Sequence, residues 1–135
     1  MLSLKFLGKL REFGLFLMRV GLGVAFVLHG SDKMFGGPAT WTQLGGAIAL
    51  WHITWYPIFW GFMAAFAEFA GGILFVLGFL FRPAALLLTI NMAVATTMHL
   101  SKGDSFSVYS HAAELCVVFA GLLFVGPGKF SIDGE

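Results

Sequence analysis

The chain has 135 residues, of which 59% are hydrophobic and 11% charged, against roughly 45 to 50% and about 25% in soluble globular domains. With 16 phenylalanines, 18 glycines, 8 basic and 7 acidic residues and a mean hydropathy of +0.89, it suits neither a disordered chain nor a nucleic-acid-binding face. A water-soluble domain of this length has too little interior for so much apolar surface. The composition therefore describes an integral membrane protein of one domain, residues 1–135, whose first partner is the lipid bilayer. The lone Cys116 excludes an internal disulfide and reads as a small buried hydrophobe.

Four apolar stretches, residues 13–30, 58–81, 83–100 and 108–125, approach the roughly 20 residues that a bilayer-crossing helix needs. The first follows a basic start of Lys5, Lys9 and Arg11 that resembles a signal-peptide n-region. No small-residue cleavage site follows, so it is expected to remain as an uncleaved anchor. Residues 41–56 come next; they are apolar and uncharged and hold Trp41, Trp51, Trp55 and Tyr56, with Trp60 just beyond. Indoles and phenols favour the headgroup layer, which predicts an interfacial or re-entrant segment; a bent first half of the second span is the competing reading. Arg82-Pro83 then forms a tight corner, with proline at a helix start, and 101–107 is a short polar loop.

Short links make consecutive helices pack antiparallel. The expected fold is thus all-α: an integral membrane four-helix bundle with one additional interfacial or re-entrant segment between spans 1 and 2. Four spans place both termini on one side, together with Lys5, Lys9, Arg11, Arg82 and Lys129, whereas Lys33 and Lys102 fall on the other. That asymmetry predicts termini on the cytoplasmic face of a bacterial inner membrane.

Charges within hydrocarbon cost about 2.5 to 3.5 kcal/mol each even on the lenient insertion scale, so each marks a candidate site and needs a named partner. Here they are Arg19, Glu68 and Glu114, with Asn91, His99 and His111 on the later helices and His29 and Lys33 ending the first. At about 100° per residue, Arg19, His29 and Lys33 fall within an arc of roughly 80°, a face expected to look into the bundle. Ala64, Glu68, Gly71, Phe75 and Gly78, with Gly72 adjacent, form a stripe on the second span, where small residues admit a neighbouring helix closely. Ser110, Glu114 and Gly121 repeat the theme on the fourth, and His111 and Glu114 are an i, i+3 pair.

Glu68 lies about 21 Å from Arg82 along its helix and Glu114 about 18 Å from Gly126, so both carboxylates fall near mid-membrane. An Arg19 bridge to either is an expected contact, the remaining negative charge being neutralised by a shared proton, a metal or a ligand. His29, His99 and His111 fall near the outer helix ends, where packing would gather them above Glu114. Imidazoles with a carboxylate suit zinc, copper or iron, although no established metal spacing such as His-Glu-x-x-His is present. The competing readings are histidines that hydrogen-bond loop backbone and buried charges that only fix helix register.

The polar positions in order are Arg19, His29-Gly30-Ser31-Asp32-Lys33, Glu68-Phe69-Ala70-Gly71-Gly72, Arg82, His99 and the tail Gly126-Pro127-Gly128-Lys129-Phe130-Ser131-Ile132-Asp133. This ordered set, covering nearly the whole chain, resembles the DoxX family of small four-span bacterial membrane proteins. Arg19, His29, Lys33, Glu68, Arg82 and His99 match its motif positions; His111 and Glu114 do not clearly do so. The resemblance implies association with thiosulfate:quinone oxidoreductase or other redox complexes, with quinone as cofactor and a separate soluble or membrane redox protein as partner. In that setting Glu68 or Glu114 relays a proton, His29 or His99 bonds a quinone carbonyl, Arg19 stabilises the reduced anion, and Lys33 and Asn91 help hold the ligand. No flavin, haem or iron-sulfur motif is present. Two other functions stay open: a protein binding a metal or small solute, with oligomerisation assisting, or a non-catalytic membrane adaptor.

Overall fold

The computed structural model describes residues 3–135. A 3-10 turn over Lys5–Leu10 leads into α1, Arg11–Met34, followed by the short α2, Pro38–Gly45, and a second 3-10 turn, Gly46–Trp51. Three long helices follow: α3, Pro57–Leu77; α4, Phe81–Ser101; and α5, Phe106–Val125. With the turn that precedes α1, the four long helices are each long and apolar enough to cross a membrane. They run up and down in the order α1, α3, α4, α5, each packed on the next. α1 and α5, at the two ends of that order, share no close backbone contact and meet through side chains, Phe26 standing edge-on to Phe119 with ring centroids 5.0 Å apart. The segment between spans 1 and 2, expected near the interface, forms α2 and the second 3-10 turn and packs chiefly on α3.

Glycine sets the closest approach in the bundle. A Cβ on Gly72 would stand 2.8 Å from the backbone nitrogen of Val27, and one on Gly23 would stand 2.9 Å from the carbonyl oxygen of Gly72. Gly30 likewise lies directly on the Phe69 backbone. α1 and α3 are thus joined backbone to backbone, which is how helices associate where no hydrophobic gain is available between them. The same device seats α2, through Gly45 on the Pro57 carbonyl and Gly61 on the Trp41 carbonyl. Around Phe119, buried rings of Phe26, Phe75 and Phe81 fill the remaining core together with Leu88 and Leu122.

The second span ends earlier than its apolar run. Gly78, expected within the helical stripe, instead adopts φ +64° just past Leu77, with Gly78 N–H donating to Phe75 O at 3.2 Å and Phe79 N–H to Leu74 O at 3.1 Å. That paired bonding is a Schellman stop, which glycine makes without a Cβ penalty. The two α3 carbonyls next to it, Phe75 O and Val76 O, accept from Arg19 Nη1 at 3.2 and 2.6 Å, and Phe130 O accepts from Arg19 Nη2. Arg82 closes α5 in the same way, donating to Leu123 O at 2.6 Å and Phe124 O at 3.1 Å while pairing with Glu135. Asp133 accepts from the N–H groups of Leu80 and Phe81 at 3.1 and 2.9 Å and so caps the start of α4. The tail after α5 is therefore a structural lid over the terminus-bearing end.

Replacing Gly30 by Leu should separate α1 from α3, at a cost of about 1–3 kcal/mol or more, read as a lowered melting temperature in detergent. Gly21→Ala, where a Cβ meets nothing within 4 Å, should leave stability unchanged or raised by up to about 1 kcal/mol. Asp133→Ala should cost about 1 kcal/mol through loss of the cap, measured in the same thermal assay.

Candidate functional site

The carboxylate of Glu68, only 3% exposed, lies about three turns into α3 from Pro57. Its Oε1 accepts from Lys33 Nζ at 2.7 Å and from Asn91 Nδ2 at 2.8 Å, so α1 and α4 both reach the acid on α3. Its Oε2 is buried and has no partner. The glycine contact of Gly30 with the Phe69 backbone brings Lys33, one turn further along α1, to this depth. Trp41 holds Lys33 in turn, its indole N–H donating to the Lys33 carbonyl at 3.1 Å.

Two cavities meet at this group. The first, about 310 Å³, lies between the α2 region, α3 and α4 and is lined by Leu44, Ile48, Trp60, Ala64, Ala67, Leu87, Ile90 and Val94, with Asn91 its sole polar side chain other than the Trp60 indole. The second, about 210 Å³, is polar: Lys33, Glu68, His29, His99 and His111 line it beside Phe26, Met92 and Ala112. Asn91 faces the apolar cavity, Glu68 faces the polar one, and the two side chains are hydrogen-bonded to each other. The sequence picked out both residues as candidates but gave no sign of the apolar cavity, which α3 and α4 form together with Leu44 of an eight-residue helix and Ile48 of the turn after it, a packing with no periodic signature.

Several expected positions change. Arg19, expected to bridge to Glu68 or Glu114, is fully buried toward the other end of α1, where Nη1 and Nη2 donate to backbone carbonyls. Arg19 and Lys33 are 14 residues apart, about 21 Å of helix, beyond the reach of a side chain. Lys33 is the cation that pairs with Glu68. Glu114, expected inside, is exposed on the outer surface of α5, and Gly121 with it; Ser110 is half-buried. The core side of α5 is instead the face of Ala112, Phe119 and Leu122.

The four expected metal ligands are not assembled into a site. His29, His99 and His111 share the polar cavity, but Glu114 turns away and His99 Nδ1 is engaged with Asp104 Oδ2 at 2.8 Å. Among the described residues no three His, Cys, Asp or Glu side chains lie where they could hold one ion. Asp104 was missed in the sequence because it stands in the polar loop, five residues from His99. Cys116 is half-buried, with its thiol directed at Thr89 O at 3.5 Å.

A family model, DoxX, matches residues 14–100, the segment that holds α2, α3 and nearly all of α1 and α4. The chain belongs to the DoxX family. A Haemophilus influenzae protein described as uncharacterized is 30% identical, over 96% of this chain and 95% of its own length. No solved structure matches. The family match includes Arg19, Lys33, Glu68, Asn91 and His99, whereas His111 and Glu114 lie beyond it.

Removing the Lys33 ammonium leaves an uncompensated carboxylate, which costs about 3–5 kcal/mol when the pair is fully buried. Because the Lys33 side chain is 35% exposed, Lys33→Met is expected to cost about 1–3 kcal/mol. Adding Glu68→Gln to Lys33→Met should recover part of that loss, a non-additivity of about 0.5–3 kcal/mol, measured by thermal or denaturant unfolding of the single and double variants in one detergent.

Proposed function

We propose that this DoxX protein is a quinone-interacting membrane subunit of a redox complex in the bacterial cytoplasmic membrane, with both termini facing the cytoplasm. The observation that carries the reading is the Glu68–Asn91 pair, which separates an apolar cavity from a polar one. A quinone is an apolar ring with carbonyl oxygens whose reduction takes up protons, and it calls for both surroundings at once. The apolar cavity is at the lower end of the usual range for small-molecule sites, about 300–1,000 Å³, and suits the ring. The buried Oε2 of Glu68, without any donor, fits a group that holds and passes a proton.

Within this arrangement Asn91 orients Glu68 by donating to Oε1 and presents its amide to the apolar cavity. Lys33 offsets the charge of the carboxylate when it is ionised. His29, His99 and His111 on the polar side provide the steps by which a proton reaches Glu68, with Asp104 fixing the His99 ring. Arg19 has no part in the chemistry, since its guanidinium holds the bundle end. A bound quinone supplies the two-electron chemistry, and the electrons come from a redox partner protein. The orientation is supported by the charges: Lys5, Lys9, Arg11, Arg82 and Lys129 stand at the end carrying the termini, against Lys33 and Lys102 at the other, as the positive-inside rule requires.

The test is extraction and mass spectrometry of quinones from protein purified in mild detergent, normalised to protein. Near-stoichiometric quinone is expected for the unaltered chain. Glu68→Gln and Asn91→Leu should each lower it at least tenfold in protein that still elutes as the folded, monodisperse species. A quinone content no higher than that of an unrelated membrane protein purified in parallel would rule the reading out and leave the adaptor role.

A further inference from the structure

The surroundings of Glu68 differ between the two directions along the bundle. The residue lies about 16 Å from the start of α3 and about 14 Å from its end, midway through an apolar span. Its Oε1 is nevertheless 2.7 Å from the ammonium of Lys33, whose side chain is 35% exposed. Lys33 is one residue from the end of α1, His99 two from the end of α4, and His111 five from the start of α5, so all three stand within about 8 Å of a helix end, on the side away from the chain termini. With His29 they wall the polar cavity; His111 is exposed and His99 half-buried, and Asp104 in the loop beyond holds the His99 ring. Polar groups therefore lead from that surface to the carboxylate.

Toward the terminus-bearing end the chain offers nothing comparable. Leu88 packs on Gly71, one turn from Glu68. Beyond it Phe75, Phe81 and Phe119 have no exposure at all, the Phe75 ring standing 4.6 Å from that of Phe81 and 5.4 Å from that of Phe119. Arg19 and Glu68 are the only buried charged or polar side chains among the described residues, and Arg19 Nη1 and Nη2 donate to carbonyls past this aromatic layer. Thr89 and Cys116 are half-buried and turned to the backbone of α4, the hydroxyl donating to Ala85 O at 2.7 Å and the thiol directed at Thr89 O. A proton crossing this layer would travel without partners through a medium that does not solvate charge.

We propose that Glu68 exchanges protons only with the side of the membrane opposite the chain termini. The inference rests on the reading of Glu68 as the proton carrier of a quinone site. Reduction of one quinone to its quinol consumes two electrons, delivered by the redox partner, and two protons, one for each carbonyl oxygen. Both protons enter past Lys33 and the three histidines, reach Glu68 and pass to the occupant of the adjoining cavity. With the termini in the cytoplasm they come from the outer side. The aromatic layer keeps the cytoplasmic proton pool out of the reaction, so the site fixes the sidedness of proton uptake as well as its chemistry.

The experiment uses the full chain in sealed liposomes, in a Cys116→Ala background, with the membrane-impermeant reagent sulfonatoethyl methanethiosulfonate added to one side at a time. Lys102→Cys in the α4–α5 loop and Lys129→Cys in the tail, both exposed, report which side has been reached. Ala95→Cys and Ala112→Cys, which line the polar cavity, should react at least tenfold faster from the Lys102 side than from the Lys129 side, and Leu88→Cys should react from neither. In the same liposomes the infrared band of the protonated Glu68 carboxyl, identified by its loss in Glu68→Gln, should follow the pH on the Lys102 side and ignore the pH on the Lys129 side. Reaction of the cavity cysteines from the Lys129 side, from both sides alike or from neither would overturn the proposal, as would an acid band that tracks the pH on the Lys129 side or on neither. Two cavity positions are used so that a single misfolded variant does not decide the result, and each is scored only as folded, monodisperse protein. None of these measurements needs bound quinone, so the sidedness can fail while quinone co-purifies, and failure of the quinone reading shows separately in the extracted ligand.

Discussion

A carboxylate placed deep in an apolar bundle has to find its donors within the protein, since no water is there to solvate it. In this chain Glu68 draws one donor from α1 and one from α4, and the geometry of the other elements follows from that need. Lys33 arrives at the right depth only because α1 and α3 touch through glycines, and Asn91 only because α4 returns from the Gly78 stop at the correct height. The α2 helix lies over the same region, with Trp41 tied to the backbone of Lys33. The arrangement satisfies one carboxylate oxygen twice and the other not at all, an asymmetry that a purely structural ion pair does not need.

The charged residues divide by end. Arg19, Arg82 and Asp133 each complete a helix terminus where both termini of the chain lie, satisfying backbone groups that every helix leaves unpaired. Lys33, Glu68, Asn91, His29, His99 and His111 surround the two cavities toward the opposite end. Family motif positions thus serve two separate purposes, and resemblance to the motif does not by itself distinguish a cap from a site residue.

Much of this was legible in the sequence. The four spans, the tryptophan-rich element between the first two, and Glu68 as a buried acid with a cationic partner all followed from hydropathy and from the expense of burying charge. The choice of cation did not, since a helical wheel puts Arg19 and Lys33 on one face and is silent on the register of the facing helix. The contact of Gly30 with the Phe69 backbone decides that register, and it is a property of the pair of helices. Glu114 was misplaced for a different reason. α5 is apolar on nearly all sides, so it has no polar stripe to show which face points outward, and an i, i+3 relation identifies a shared surface without saying what that surface meets. Asp133 as a cap on α4 was invisible because the contact joins positions 53 residues apart from a tail without regular structure.

The tail also bears on the order in which the molecule can be completed. Phe130 accepts from Arg19, Ile132 donates to the Leu77 carbonyl at 3.1 Å, and Asp133 covers the start of α4. All four long helices are synthesised before any of these residues. Until then Arg19 Nη2 lacks its Phe130 acceptor and the α3–α4 corner lacks its cap, so one end of the bundle stays unfinished while the spans enter the bilayer. Closure of that end is thus a late event in biogenesis that reports whether α1, α3 and α4 have come together correctly, and a fusion attached close to Asp133 would interfere with assembly itself.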